Sequence, residues 1–61
     1  MKLISLVTQT GMKFSFNPNY LVALIENKEK KCTEIHLSQN IAFLVNESIE
    51  EITQILFDNL S

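Results

Sequence analysis

Apolar and polar positions alternate with a period of two along most of the chain, and the period becomes helical only after residue 48. Residues 2–8 are rich in branched apolar side chains and predict a strand. Thr8-Gln9-Thr10-Gly11 predicts a turn, with Gly11 able to take a positive φ without steric cost. Lys13-Phe14-Ser15-Phe16 alternates cleanly and places both phenylalanines on one face, so the first two strands form a hairpin. Asn17-Pro18-Asn19 breaks the pattern, because Pro18 cannot donate to a ladder and pushes Asn17 out of the helical region. Tyr20 to Glu26 is short, rich in β-formers and predicts a third strand, opening on a tight turn.

Asn27 to Lys31 is a charged turn. In Cys32 to Leu37 the residues Thr33, Ile35 and Leu37 share one face, and Glu34 and His36 the other. Ser38-Gln39-Asn40 predicts a second turn, in which Asn40 is the side chain best suited to the left-handed region. Ile41 to Val45 predicts the last strand. Ser48 with Glu51 three residues on forms a capping box. Glu50 and Glu51 complement the positive end of the helix dipole. Ile49, Ile52, Ile55, Leu56 and Leu60 then make one apolar stripe, with Phe57 at its border.

The fold class expected is α+β: an antiparallel β-meander of about five short strands followed by one C-terminal amphipathic helix, in one domain over residues 1–61. Several strands are apolar on both faces. Leu3 and Val7 oppose Ile4 and Leu6; Leu21 and Ile25 oppose Val22 and Leu24; Ile41, Phe43 and Val45 oppose Leu44. One helix covers one face of a sheet, so a second copy of the chain is the expected cover for the other.

Size and chemistry sharpen that expectation. A chain of 61 residues buries only about 60% of its unfolded surface and needs some further source of stability. Cys32 is the only cysteine and His36 the only histidine, so neither a disulfide nor a Cys/His metal site is expected. A lone thiol suits a reducing, cytoplasmic setting. Oligomerisation, most simply a homodimer, is the remaining source. The net charge is −2, with no arginine and no tryptophan. Lys28, Lys30 and Lys31 share one loop with Glu29, which reads as a solvated turn. Nucleic-acid binding is therefore not expected. Nor is an oligonucleotide-binding barrel, which five strands would permit but whose cationic groove is missing. The N-terminal apolar run is too short for a signal peptide, no stretch is long enough to span a membrane, and the helix has an acidic polar face unsuited to anionic lipid.

Candidate chemistry is sparse. His36 and Glu34 could form a general-base pair, but they also fit a solvated polar strand face. Cys32 would act as a nucleophile only with a base brought to it by the fold. Glu47, Glu50 and Glu51 cluster at the helix start, where capping and dipole complementarity account for them. Tyr20, Phe43 and Phe57 are the aromatics considered for partner contact, with Phe43 assigned to the core. No cofactor is expected. The turn and cap residues Gly11, Asn17, Pro18, Asn40, Ser48 and Glu51 are structural, and Glu34, His36, Leu44 and Phe57 are the candidate partner or oligomer contacts.

The spacing Gly11-x-x-Phe14-x-Phe16-Asn17-Pro18 resembles the opening of the small flagellar FlbD (SwrD-type) family. The likeness continues through Leu21 to Glu26 and Thr33-x-Ile35-x-Leu37, and closes on Leu44-Val45-x-Glu47-Ser48-x-Glu50-Glu51-Ile52. The chain departs from that pattern in one extra residue after Asn19, in a charged loop at residues 27–31, and in Asn40 where the family has glycine. The resemblance implies a cytoplasmic accessory protein of bacterial flagellar motility that works through contacts, with no catalytic residues to carry over. The alternative expectations are a small regulator or inhibitor from a phage or mobile element that blocks a host protein through an acidic surface, or a family member that shares only the fold.

Overall fold

The computed structural model describes residues 2–60, and the side chains of residues 2–59. Five strands and one helix give an α+β arrangement: β1 (Ile4–Val7), β2 (Lys13–Phe16), β3 (Leu21–Asn27), β4 (Cys32–Leu37), β5 (Ile41–Val45) and α1 (Ile49–Leu60). A 3₁₀ turn at Pro18–Tyr20 leads into β3, and a turn at Ser38–Asn40 with left-handed backbone at Gln39 and Asn40 leads into β5. Neighbouring strands in sequence pair antiparallel, but the meander is broken between β2 and β3. The result is a two-stranded sheet (β1, β2) and a three-stranded sheet in the order β3, β4, β5.

The break has a local cause. Asn17 accepts the Asn19 N–H on its side-chain oxygen at 2.9 Å, and Pro18 opens the 3₁₀ turn. Asn17 thus closes an Asx turn that redirects the chain before β3 can pair with β2. Among the described residues, backbone pairing rejoins the two sheets at one corner. Thr8 bridges Val45, and the Gln9 N–H donates to the Leu44 carbonyl at 2.7 Å.

The hairpin of β1 and β2 therefore folds over the inner face of the three-stranded sheet. Phe14 stacks on Phe43 with ring centroids 4.1 Å apart. Ile4, Leu6 and Phe16 from the hairpin, Ile35 and Val45 from the sheet, and Ile52 from α1 make the buried core. Helix and hairpin share the cover of one sheet face, a role expected for the helix alone.

β3 corrects the sequence reading. Leu21 pairs with Leu37, and Ala23 with His36, so Val22 is an extra residue in a β-bulge. The bulge resets the alternation. Leu21 and Leu24 then sit on the same inner face, opposite Leu37 and Ile35, while Ile25 joins Glu34 on the outer face. Strict alternation would have put Leu21 with Ile25 and Leu24 with Val22. β3 is thus not a symmetric two-faced strand; Val22 and Ile25 are its exposed apolar members. Leu44, expected on an open face, is half-buried, with the turn at residues 8–12 against it.

Turn chemistry follows the residues. Gly11 has φ 93° with open space around its α-carbon. Asn40 has φ 62°, but its neighbour Gln39 is left-handed as well, at 66°, as is Lys31 at 54°. Ser48 and Glu51 cap α1 reciprocally. The Ser48 N–H donates to Glu51 Oε1 at 2.9 Å, and the Glu51 N–H donates to Ser48 Oγ at 3.1 Å. On the helix stripe Ile52 is fully buried and Ile49, Ile55 and Leu56 are partly so; the side chain of Leu60 lies outside the described residues.

Candidate functional site

β4 places Glu34 and His36 side by side on the outer face of the three-stranded sheet, because residues two apart on a strand share a face. His36 Nε2 lies 2.8 Å from Glu34 Oε1. Asn27, at the end of β3, donates from Nδ2 to the other carboxylate oxygen at 2.9 Å. The same Asn27 accepts the Lys30 N–H at 3.0 Å and so closes the turn between β3 and β4. A turn residue thus also clamps the carboxylate. These bonds hold the Glu34 carboxyl below the ordinary carboxylate value, the His36 bond first and the Asn27 bond second.

This trio is partly solvated, with the His36 side chain 37% and the Glu34 side chain 26% exposed. Ala23 and Ile25 flank it on one side and Ala42 and Leu44 on the other. No described hydroxyl or thiol hydrogen-bonds to His36. Cys32 is buried near the other end of the same strand, about 13 Å from His36 at the rise of an extended strand. That distance rules out a Cys–His couple in this conformation. The arrangement can present a fixed carboxylate and an imidazole to a polar partner group.

Of the three acidic residues at the helix start, Glu47 and Glu50 line one cleft. Glu51 is engaged in the capping box, and the Glu47 carbonyl accepts the Thr33 hydroxyl at 2.7 Å. Glu47 Oε1 is buried without a hydrogen-bond partner among the described residues. Among the described residues no group of three His, Cys, Asp or Glu side chains could hold a metal ion.

Phe57 stands apart from the core, 69% exposed on α1. Among the described residues no hydrogen bond or ring contact joins it to Glu34 or His36, so the four expected contact residues form no single site. Apolar surface also lies elsewhere. A cleft of about 460 Å³ opens between the end of β2, the Pro18–Tyr20 turn and the turn joining β4 to β5. Phe16, Leu37 and Phe43 contribute to its lining. The sequence signals Tyr20 and Phe43 as aromatics, but Leu3, Leu37 and Ile41 join them only through pairings far apart in the chain.

Among the described residues no helix is long and apolar enough to cross a membrane. Comparison with known proteins returned no matching family model, no matching curated protein and no matching solved structure.

Proposed function

We propose that the chain is a small non-enzymatic interaction module that works as a homo-oligomer, in its simplest form a homodimer, inside the cytoplasm. The observation that carries this reading is the balance of its apolar side chains. Seven are buried, including Cys32, while eight large ones are exposed among the described residues: Leu3, Val7, Met12, Tyr20, Val22, Ile25, Ile41 and Phe57. The accessible surface is 4502 Å², against about 4,000 Å² for a compact monomer of 7.0 kDa. Exposed apolar side chains in this number are available as contact sites. The sparse chemistry supports the same reading, since His36 has a carboxylate neighbour but no described nucleophile.

The FlbD-like spacing of Gly11, Phe14, Phe16, Asn17 and Pro18 supports a role as an accessory factor of flagellar motility. The partner-facing groups in this reading are Glu34 and His36 on the outer sheet face and Phe57 on the helix. Light scattering over a dilution series tests the oligomer. A mass of twice 7.0 kDa that falls on dilution is expected. A clean monomer throughout the micromolar range would remove self-association from the reading.

A further inference from the structure

We propose that the cleft beside the Pro18–Tyr20 turn is a docking groove for a short, uncharged, extended peptide segment of a partner protein, anchored by one aromatic or aliphatic side chain. The inference rests on the reading of the chain as an interaction module and names the surface and the kind of partner. Leu3, Tyr20 and Ile41, three of the eight exposed large apolar residues, are 62%, 59% and 44% exposed and converge on this one cleft. Its volume of about 460 Å³ falls within the roughly 300–1,000 Å³ of ligand sites.

Charge selects the occupant. Among the described residues no charged side chain lines the cleft. A lysine or glutamate entering it would lose water and gain no counter-charge, which is costly. Size selects it as well. Ten residues line the cleft, whereas a standard interface between folded proteins uses about 20–30 residues a side. By itself the cleft falls short of an interface for a second folded copy, and it matches a few residues of extended peptide. The polar groups suit a peptide backbone. Asn17 commits its side-chain oxygen to the Asn19 N–H, which leaves its amide nitrogen as a donor, and Ser38 and Gln39 add a hydroxyl and an amide from across the cleft. β2 pairs only with β1, and no described backbone group engages its second edge, so an added strand can find N–H and C=O partners there. Gln39 and Asn40 hold left-handed backbone next to the groove, a conformation that concentrates where structure serves binding.

The test is an amide NMR titration with the capped tripeptide acetyl-Val-Phe-Val-amide, set against acetyl-Val-Ser-Val-amide and the capped phenylalanine amide alone. Saturating shifts are expected at residues 15–17 and 38–43, with a dissociation constant on the order of 1 mM. Emission from Tyr20, the only tyrosine in a chain without tryptophan, should change in step. The serine peptide should bind at least ~10-fold more weakly, since one buried apolar side chain is worth about that factor. Ile41→Lys should weaken the phenylalanine peptide by at least ~10-fold. Met12→Lys, at an exposed residue outside the cleft, should not. Absent saturation, shifts centred on another surface, an equal response to the serine peptide, or equally tight binding of the lone capped amino acid would each overturn the proposal. The oligomer fails separately: a monomer with a responsive cleft keeps the groove, and a dimer with a silent cleft ends it.

Discussion

Gln39 holds a costly left-handed backbone conformation, at φ 66° and ψ 28°. A side chain with a β-carbon loses roughly 1–2 kcal/mol in the left-handed region, and glutamine lacks the short polar side chain that lets asparagine compensate. Gln39→Gly is therefore expected to stabilise the protein by about 1 kcal/mol, read as a higher urea midpoint at unchanged slope. Glu34 makes a prediction about pH. Its folded-state pKa is lowered from 4.5 by His36 and Asn27, so its contribution to stability is present above pH 4.5 and is lost as pH falls through the lower folded value. Thermal melts of wild type and Glu34→Gln should differ at pH 6 and converge as the pH drops below 4; a gap that stays constant with pH would show that the carboxylate is not the source. At this scale the sequence reveals roles that depend on near neighbours. Gly11 and Asn40 announce positive φ, and Ser48 with Glu51 announces a cap, because each effect is settled within a few residues. Gln39 and Lys31 carry no such announcement, since their φ values are imposed by strands that must pair on either side.

Element boundaries were legible to within one or two residues where punctuation is strong. Pro18 stops the second strand, and the capping box starts α1 immediately after Ser48. Replacing Ser48 by Ala should cost about 1 kcal/mol through loss of the side-chain acceptor for the Glu51 N–H. Ile52→Ala should cost more, about 2–5 kcal/mol, because the side chain is fully buried where helix, hairpin and sheet meet. Chemical denaturation that ranks Ser48→Ala above Ile52→Ala would contradict this assignment of the core. The bulge at Val22 was hidden. Nothing in Tyr20 to Glu26 marks one residue as extra; the register is fixed by which faces of Leu37, His36 and Ile35 wait across the ladder. Once Val22 is set aside, Leu21 and Leu24 need no second cover.

At the scale of the molecule, the five strands and the helix could be read in order, but their closure could not. The contacts that fold the hairpin over the sheet, Phe14 on Phe43 and Thr8 beside Val45, join residues that no local pattern relates. The cleft escaped notice for the same reason, being built from Leu3, Tyr20 and Ile41 at once. The apolar surface left over bears on stability. If a second copy covers it, the melting temperature must rise with protein concentration, as mass action requires for any partner that binds only the folded state. A melting temperature independent of concentration from 1 to 100 times the lowest usable value would argue for a self-sufficient monomer.

The corner where Thr8 and Gln9 meet Val45 and Leu44 also sets an order of events in time. Each of the three hairpins closes a loop of a few residues, a process of microseconds that needs no help from the rest of the chain. The corner closes a loop of more than half the chain, and its entropic cost falls due before the core rewards it. Folding should therefore be limited by the docking of one preformed half upon the other. Gln9→Pro removes the N–H that reaches the Leu44 carbonyl and the side-chain amide that reaches the Lys30 carbonyl, and it should disturb that docking.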